Sequence, residues 1–544
     1  MAARPSAHAS VKSPAQANAA WTQQFLLYAL LFASLMVLHA PLLRLPYFWD
    51  EAGYYIPVAR DLYLTGSPIP HSTLSNAHPP LVMAWLALAW RLFGYSTLVT
   101  RTAILALAGF SLLGLFRLAR RAANLHIAAA VTVLTAVYPV FFTQSAMALV
   151  DLPAAGLAFW ALASYLEDRP WSTVLWFSLA AMAKETAVVA PLALLSWELL
   201  APIVRSRRAE LALPLGRRTR AIHLILPIMP LVCWFAFHRA KTGFVFGNPD
   251  FFRYNVAGTL NPLRIPIALG LRLWQVGGYF GLWLLSLSVV LAMLRPPQIE
   301  NGHPRRRIEI WQQAAIAAVI LAYLVFMSAV GGAPLARYLL PVTPLVILLS
   351  VAALSRRLRY WKLVAGALAV TFVAGLFSNP PYGFSLEDNL AYRDFVVMHS
   401  EASRFMTMRY PNATVLTAWP ASDELNRPWL GYVARPFRVV RIEDFTAAQI
   451  DVAYAARSEF DVAFVFSTKY QPRHELLANW AAWQEIKARF FGYHRDLLPE
   501  EIARRMGGRI VFHKEENGLW VAVIALDKEQ DAQLRLPADY PPSR

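Results

Sequence analysis

The feature that most constrains this chain is a succession of uncharged apolar runs, each near the length that crosses a bilayer. A spanning helix needs about 20 mostly apolar residues, because the hydrocarbon core holds no water to satisfy an unpaired backbone. Runs of this kind fall at 23–43, 102–116, 126–144, 152–166, 171–186, 187–204, 221–237, 273–294, 310–330, 338–355 and 361–378, which predicts about eleven transmembrane helices. Composition agrees, since 57% of the 544 residues are hydrophobic and only 16% are charged, outside the balance of a soluble domain.

Basic clusters give an independent reading, because short cytoplasmic loops collect Lys and Arg and the opposite side does not. With the N-terminus inside, four clusters fall on the cytoplasmic side: Arg117, Arg120 and Arg121; Arg205, Arg207, Arg208, Arg217, Arg218 and Arg220; Arg295 with Arg305 to Arg307; and Arg356, Arg357 and Arg359. The net charge of +17 is therefore read as loop arginines facing anionic headgroups, not as a nucleic-acid footprint. This agreement requires Pro79 to Phe93 to be a re-entrant or interfacial segment, which suits its Pro-Pro start, its length and its Trp85, Trp90 and Arg91.

The chain then divides into a cytoplasmic arm (1–22), a transmembrane region (23–378) with an outer loop at 44–101 carrying juxtamembrane helices, and a soluble tail (379–544). An odd number of crossings places the tail outside. Short β-rich segments at Thr414 to Ala418, Arg438 to Ile442, Val462 to Phe466, Ile510 to His513 and Leu519 to Ile524, with a helical stretch from His474 to Phe490, predict a small α/β domain. The single cysteine, Cys233, excludes an intrachain disulfide and reads as inert packing within an apolar run.

Ionisable residues beside spanning helices are costly and mark function by default. On the outer side they are Asp50, Glu51, His78, Asp151, Lys184, Glu185 and Arg337. Asp50 and Glu51 sit where the chain leaves the first crossing; they suit a general base or a divalent cation, and equally a solvated loop. Asp151, at the start of an apolar helix, suits an N-cap as well as a ligand. Lys184 marks a tight outward turn and can meet a lipid phosphate as a point charge, or neutralise Glu185. Arg337 can grip phosphate oxygens bidentately, or anchor at the interface beside Tyr338. His78 is either a hydrogen-bond donor to substrate or a loop residue. No nucleophile elbow, P-loop, dinucleotide fingerprint or zinc spacing is present.

Taken in order, Asp50-Glu51, His78-Pro-Pro-Leu, Asp151-Leu-Pro, Ala183-Lys184-Glu185 and Arg337-Tyr338-Leu-Leu-Pro resemble the GT-C superfamily of glycosyltransferases, in its protein O-mannosyltransferase and bacterial aminoarabinose transferase branch. The resemblance covers roughly residues 20 to 380. It implies a multi-pass α-helical GT-C fold with an extracytoplasmic α/β domain, in a bacterial inner membrane. It also implies inverting transfer from a polyprenyl-phosphate sugar to a lipid, glycan or protein acceptor. On it, Asp50 is the base or a key acid, with Glu51 and Asp151 assisting; Asp50 and Asp151 are the positions for a divalent cation (Mg or Mn), whose involvement stays open. Lys184 and Arg337 neutralise the donor phosphate, and His78, Tyr54 and Tyr338 contact substrate. One departure stands out: relatives often carry Thr-Lys-Gly where this chain has Ala183-Lys184-Glu185, and an adjacent carboxylate would weaken the Lys184 field. The readings from other classes are a secondary transporter and a lipid-binding envelope-assembly protein; the first expects inverted repeats and midplane charges, and neither feature is found.

Overall fold

The computed structural model describes residues 14–205, 221–472 and 480–526. The N-terminal arm up to residue 13 and the loop arginines at 207–220 lie outside that range. Helix α1 (Pro14–Leu38) leads through a short 3-10 turn into the outer loop, which holds α2 (Ile56–Thr65) and α3 (Leu81–Phe93). Then come α4 (Thr97–Ala122), α5 (Leu125–Val137), α6 (Pro139–Gln144), α7 (Asp151–Leu166), α8 (Pro170–Ala183) and α9 (Val189–Arg205). The series continues with α10 (Ala221–Ile225), α11 (Ile228–Thr242), α12 (Pro249–Asn255), α13 (Arg264–Gly277), α14 (Leu282–Met293), α15 (Ile310–Ala329), α16 (Thr343–Arg357) and α17 (Trp361–Phe377).

Every predicted crossing coincides with a helix or a broken pair of helices, but the count of eleven is not established. Among the described residues, five helical stretches are long and apolar enough to cross as one run: Trp21–Leu38, Thr97–Ala122, Ala221–Thr242, Arg264–Met293 and Ile310–Ala329. The others are shorter. The run at 126–144 breaks between α5 and α6 at Pro139, which removes a backbone donor and ends the first helix. The run at 273–294 is kinked around Phe280, whose φ of 44° is left-handed. Helix α3 has 13 residues, about 20 Å at 1.5 Å per residue and short of a bilayer core. Local capping accounts for the sharp helix starts: the Ser96 hydroxyl accepts from Val99 N–H at 3.2 Å to open α4, and Asn124 accepts from Ile127 N–H at 3.0 Å to open α5.

Two of the basic clusters meet at one end of the bundle. The Arg305 guanidinium donates to the Ser355 carbonyl at 2.9 Å, and that of Arg357 donates to the Arg295 carbonyl. The outer-loop acids, the start of α7 and the α8–α9 turn gather at the opposite end. The core helix is α7, packed on α4 and α8 and buried over nearly its whole length. Cys233 is exposed on the surface of α11, not packed inside it.

The tail is an α/β domain. Its five strands are β3 (Thr414–Ala418), β4 (Arg438–Ile442), β5 (Val462–Phe466), β6 (Gly508–Glu516) and β7 (Leu519–Leu526), following a two-strand hairpin, β1 (Ile299–Glu300) with β2 (His303–Pro304), in a loop of the bundle. The sheet order is β4-β3-β5-β7-β6, with β3 parallel to β4 and β5, and β7 antiparallel to β5 and β6. Central β5 is buried at every position, as a strand covered on both faces must be. Helix α18 (Ala391–Arg409) covers the sheet, followed by α19 (Ala421–Asn426), α20 (Ala447–Ala455), α21 (Ala481–Phe491) and α22 (Pro499–Met506). The first part of the helix expected from His474 falls outside the described residues. The domain is seated on the outer loop: the Tyr432 hydroxyl donates to the Tyr47 carbonyl at 3.0 Å, and that of Tyr95 to the Trp429 carbonyl at 3.0 Å.

Candidate active site

The site is built around one guanidinium. Gly331 to Leu335 break the chain after α15, and a 3-10 turn (Ala336–Leu339) then points Arg337 inward, where it is 2% exposed. Its Nη2 donates to Asp50 Oδ2, its Nη1 donates to Glu387 Oε2 at 2.6 Å, and its Nε faces Asp151 Oδ2 at 3.5 Å. Three carboxylates from distant parts of the chain therefore share one planar cation. A long-range arginine with several acceptors is the expected solution for burying charge, since the fork geometry serves more than one carboxylate.

Lys184 completes the cluster. It caps α8 in extended conformation, and its ammonium donates to Asp151 Oδ1. The same ammonium lies 4.1 Å over the Tyr338 ring. Asp151 is the first residue of α7 and makes no cap hydrogen bond; the N-cap is Val150. The N-cap and self-neutralising alternatives thus give way to a direct Lys184–Asp151 pair. Asp50 is the member open to solvent, with a side chain 32% exposed.

Glu51 does not join this cluster. It is 0% exposed; its Oε1 accepts from Arg101 and from Ala148 N–H at 2.5 Å, and its Oε2 accepts from Phe48 N–H at 3.0 Å. Arg101 in turn donates to the Ala146 and Pro46 carbonyls. Glu51 ties the first outer loop to the segment before α7, and both oxygens of its carboxylate are engaged by the fold. His78 and Tyr54 form an outer ring: His78 Nδ1 meets Glu185 Oε2 at 3.0 Å, and its ring lies against Tyr54, Tyr55 and Phe251. The Tyr54 hydroxyl accepts from Asn76 N–H at 3.0 Å. Glu185 is thus engaged by His78, while its charge still acts on that of the adjacent Lys184.

Several residues were missed from sequence. Glu387 and Asp388 lie in a 3-10 turn just past α17, inside the segment assigned to the soluble tail. Burial raises the Glu387 carboxyl above the usual range against the pull of Arg337. Burial also pushes Asp388 up to about 7, although the Tyr279 hydroxyl donates to its Oδ2 at 2.6 Å. The signal was available, since an acidic pair follows the last crossing as Asp50 and Glu51 follow the first. Arg272 carried no such signal. It is buried on α13, 5.8 Å from the Tyr338 ring, and its donors go to the Met327 and Leu335 carbonyls and to Gln275, with no carboxylate among them.

The residues proposed for a divalent cation do not fit one. Arg337 already stands between Asp50 and Asp151, and among the described residues no group of three or more His, Cys, Asp or Glu is arranged to hold a metal. A cation there would have to displace the guanidinium.

No known family matches the chain by sequence, and no curated protein does. Solved structures do match. ArnT from Cupriavidus metallidurans, bound to undecaprenyl phosphate, is 15% identical, with 92% of this chain and 98% of that one covered at a TM-score of 0.50. The oligosaccharyltransferase AglB from Archaeoglobus fulgidus, in complex with an inhibitory peptide and a dolichol-phosphate, is 10% identical over 96% of this chain and 75% of that one, at a TM-score of 0.44. The overlap with ArnT runs through the bundle and the tail together, and the chain shares the fold of that structure.

Proposed function

We propose that the chain is an integral-membrane glycosyltransferase that takes its sugar from a polyprenyl-phosphate carrier and passes it, with inversion, to an acceptor at the outer face of a bacterial inner membrane. The N-terminus is then cytoplasmic and the α/β domain periplasmic. The observation that carries this reading is the meeting of Asp50, Asp151, Lys184 and Arg337 at the outer end of the bundle, with Arg272 close by and free of any carboxylate. The undecaprenyl phosphate bound in the ArnT structure supports the donor class.

In the proposed reaction an acceptor hydroxyl oxygen attacks the anomeric carbon from the face opposite the phosphate. The bond from that carbon to the phosphate oxygen breaks, the hydroxyl proton passes to Asp50, and polyprenyl phosphate leaves with one more negative charge. Asp50 is the solvent-open carboxylate, and Arg337 keeps it aimed. Lys184 and Arg272, both beside the Tyr338 ring, receive the growing phosphate charge. Fixed cations in a dry site supply the largest catalytic term of this kind, because they need no reorganisation as the charge develops. Asp151 keeps Lys184 in place until the phosphate arrives, and Glu51 acts only through the loop it anchors.

The test is a panel of labelled polyprenyl-phosphate sugars incubated with the purified chain and a membrane extract. Label passing to the extract with release of polyprenyl phosphate is expected. Uptake of a sugar or lipid into sealed vesicles, with no transfer from any donor, would favour the transporter instead.

A further inference from the structure

A second cationic feature lies away from the cluster around Arg337. A cleft of about 370 Å³ opens where the tail meets the first outer loop, lined by Arg44 and Pro46, by Ser400, Arg404 and Thr407, and by the turn from Gly431 to Ala434. Ser400, Arg404 and Thr407 are spaced four and three residues apart, so they share one face of α18. The opposite wall is fixed. Tyr47 N–H donates to the Leu430 carbonyl at 3.4 Å, the Tyr432 hydroxyl donates to the Tyr47 carbonyl, and Gly431, at φ 98°, turns the chain where a side chain would be strained.

Neither arginine is used by the fold. Arg44 and Arg404 are exposed and, among the described residues, make no side-chain hydrogen bond or ion pair, and no Asp or Glu lines the cleft. The nearest acid along α18, Glu401, is taken by Lys514 at 2.7 Å. Two guanidiniums in one cleft repel unless an anion sits between them, and a guanidinium fork matches a phosphate; the Ser400 and Thr407 hydroxyls donate to the Val396 and Ser403 carbonyls of their own helix, so the arginines carry the recognition. Position chooses the source of that phosphate. Arg44 follows α1 and its 3-10 turn, at the level where the first spanning helix leaves the bilayer on the outer side. Cations are scarce on that side of membrane proteins, so one held there without a partner calls for a headgroup. Apolar side chains are exposed on the same two elements, Val37 and Leu38 at the end of α1 and Met408 beside Thr407 on α18.

We propose that this cleft binds the phosphate of an anionic bilayer lipid and so seats the outer domain on the membrane surface. The site is separate from the donor site and would stand if the transfer reaction were disproved.

The test is native mass spectrometry of the purified full chain, titrated separately with phosphatidylglycerol, phosphatidylcholine and inorganic phosphate. Phosphatidylglycerol should bind better than phosphatidylcholine, and Arg44→Gln and Arg404→Gln should each weaken it about fivefold, the most that an exposed ion pair supplies. Arg409→Gln, on the same helix and outside the cleft lining, should leave binding unchanged. Melting temperatures should match the wild type, because both arginines are exposed. Unchanged phosphatidylglycerol binding in both cleft variants would overturn the proposal. So would inorganic phosphate binding as tightly as the lipid, which would make this a free-phosphate site.

Discussion

If Glu51 is a strut, the cost of breaking its pair with Arg101 should appear in stability and should be recoverable. Both side chains are at most 1% exposed, and the carboxylate accepts from Arg101 and two backbone amides. Removing one partner of a buried ion pair leaves an uncompensated charge and costs about 3–5 kcal/mol, a large share of the 5–15 kcal/mol that holds a typical domain together. Arg101→Met and Glu51→Gln should therefore each lower the melting temperature in detergent sharply. The double variant removes both charges, so it should cost less than the sum of the singles by roughly 2 kcal/mol or more. Activity of the Glu51→Gln protein that remains folded should persist at a reduced level. A Glu51→Gln protein that melts like the wild type and has lost all transfer would refute the reasoning and return Glu51 to the chemistry.

Three further outcomes follow from the same geometry. Burial pushes Asp388 up to about 7 from its ordinary value of 3.8, so its contribution to stability is fully present below about pH 4 and is lost as pH rises through about 7, by at most ~4 kcal/mol; Asp388→Asn should flatten the fall in melting temperature over that window, and an unchanged slope would contradict it. Gly53→Ala should impair both folding and transfer, since a Cβ there would stand 2.7 Å from the Trp419 ring and would push the outer loop away from the tail. Arg272→Gln should raise the half-saturating concentration of polyprenyl phosphate by about tenfold or more, the worth of a charge-assisted bond in a buried site, as read by displacement of a labelled carrier lipid; unchanged binding would remove Arg272 from the phosphate site.

Most of the architecture was legible because lipid leaves few choices. Apolar runs had to become helices, and Pro-Pro, Lys184-Glu185 and Gly331-Gly332 had to mark their breaks. Strands such as Val462 to Phe466 were readable because a strand buried on both faces needs an unbroken apolar run rich in β-branched and aromatic residues. The number of crossings was not legible, because a hydropathy run does not reveal a kink such as the one at Phe280 or a helix too short to span. In the site, Asp50, Asp151, Lys184 and Arg337 were found by their cost at the membrane edge, a local property. Pairing is not local. Whether Glu51 faces substrate or Arg101 depends on a partner 50 residues away, and whether Glu387 belongs to the tail or to the site depends on Arg337, also 50 residues away. Arg272 was hidden inside a run taken to begin at its neighbour, where a lone arginine reads as a boundary.

The measurement closest to the central claim compares wild type, Asp50→Asn and Lys184→Ala, at matched expression and folding, for transfer of label from a polyprenyl-phosphate sugar, with carrier-lipid binding measured on the same samples. Asp50→Asn should keep carrier binding and lose transfer by about a hundredfold or more, the contribution of a general base, while Lys184→Ala should lose both. Transfer that survives in Asp50→Asn at wild-type rate would contradict the assignment of the base and, with it, the site.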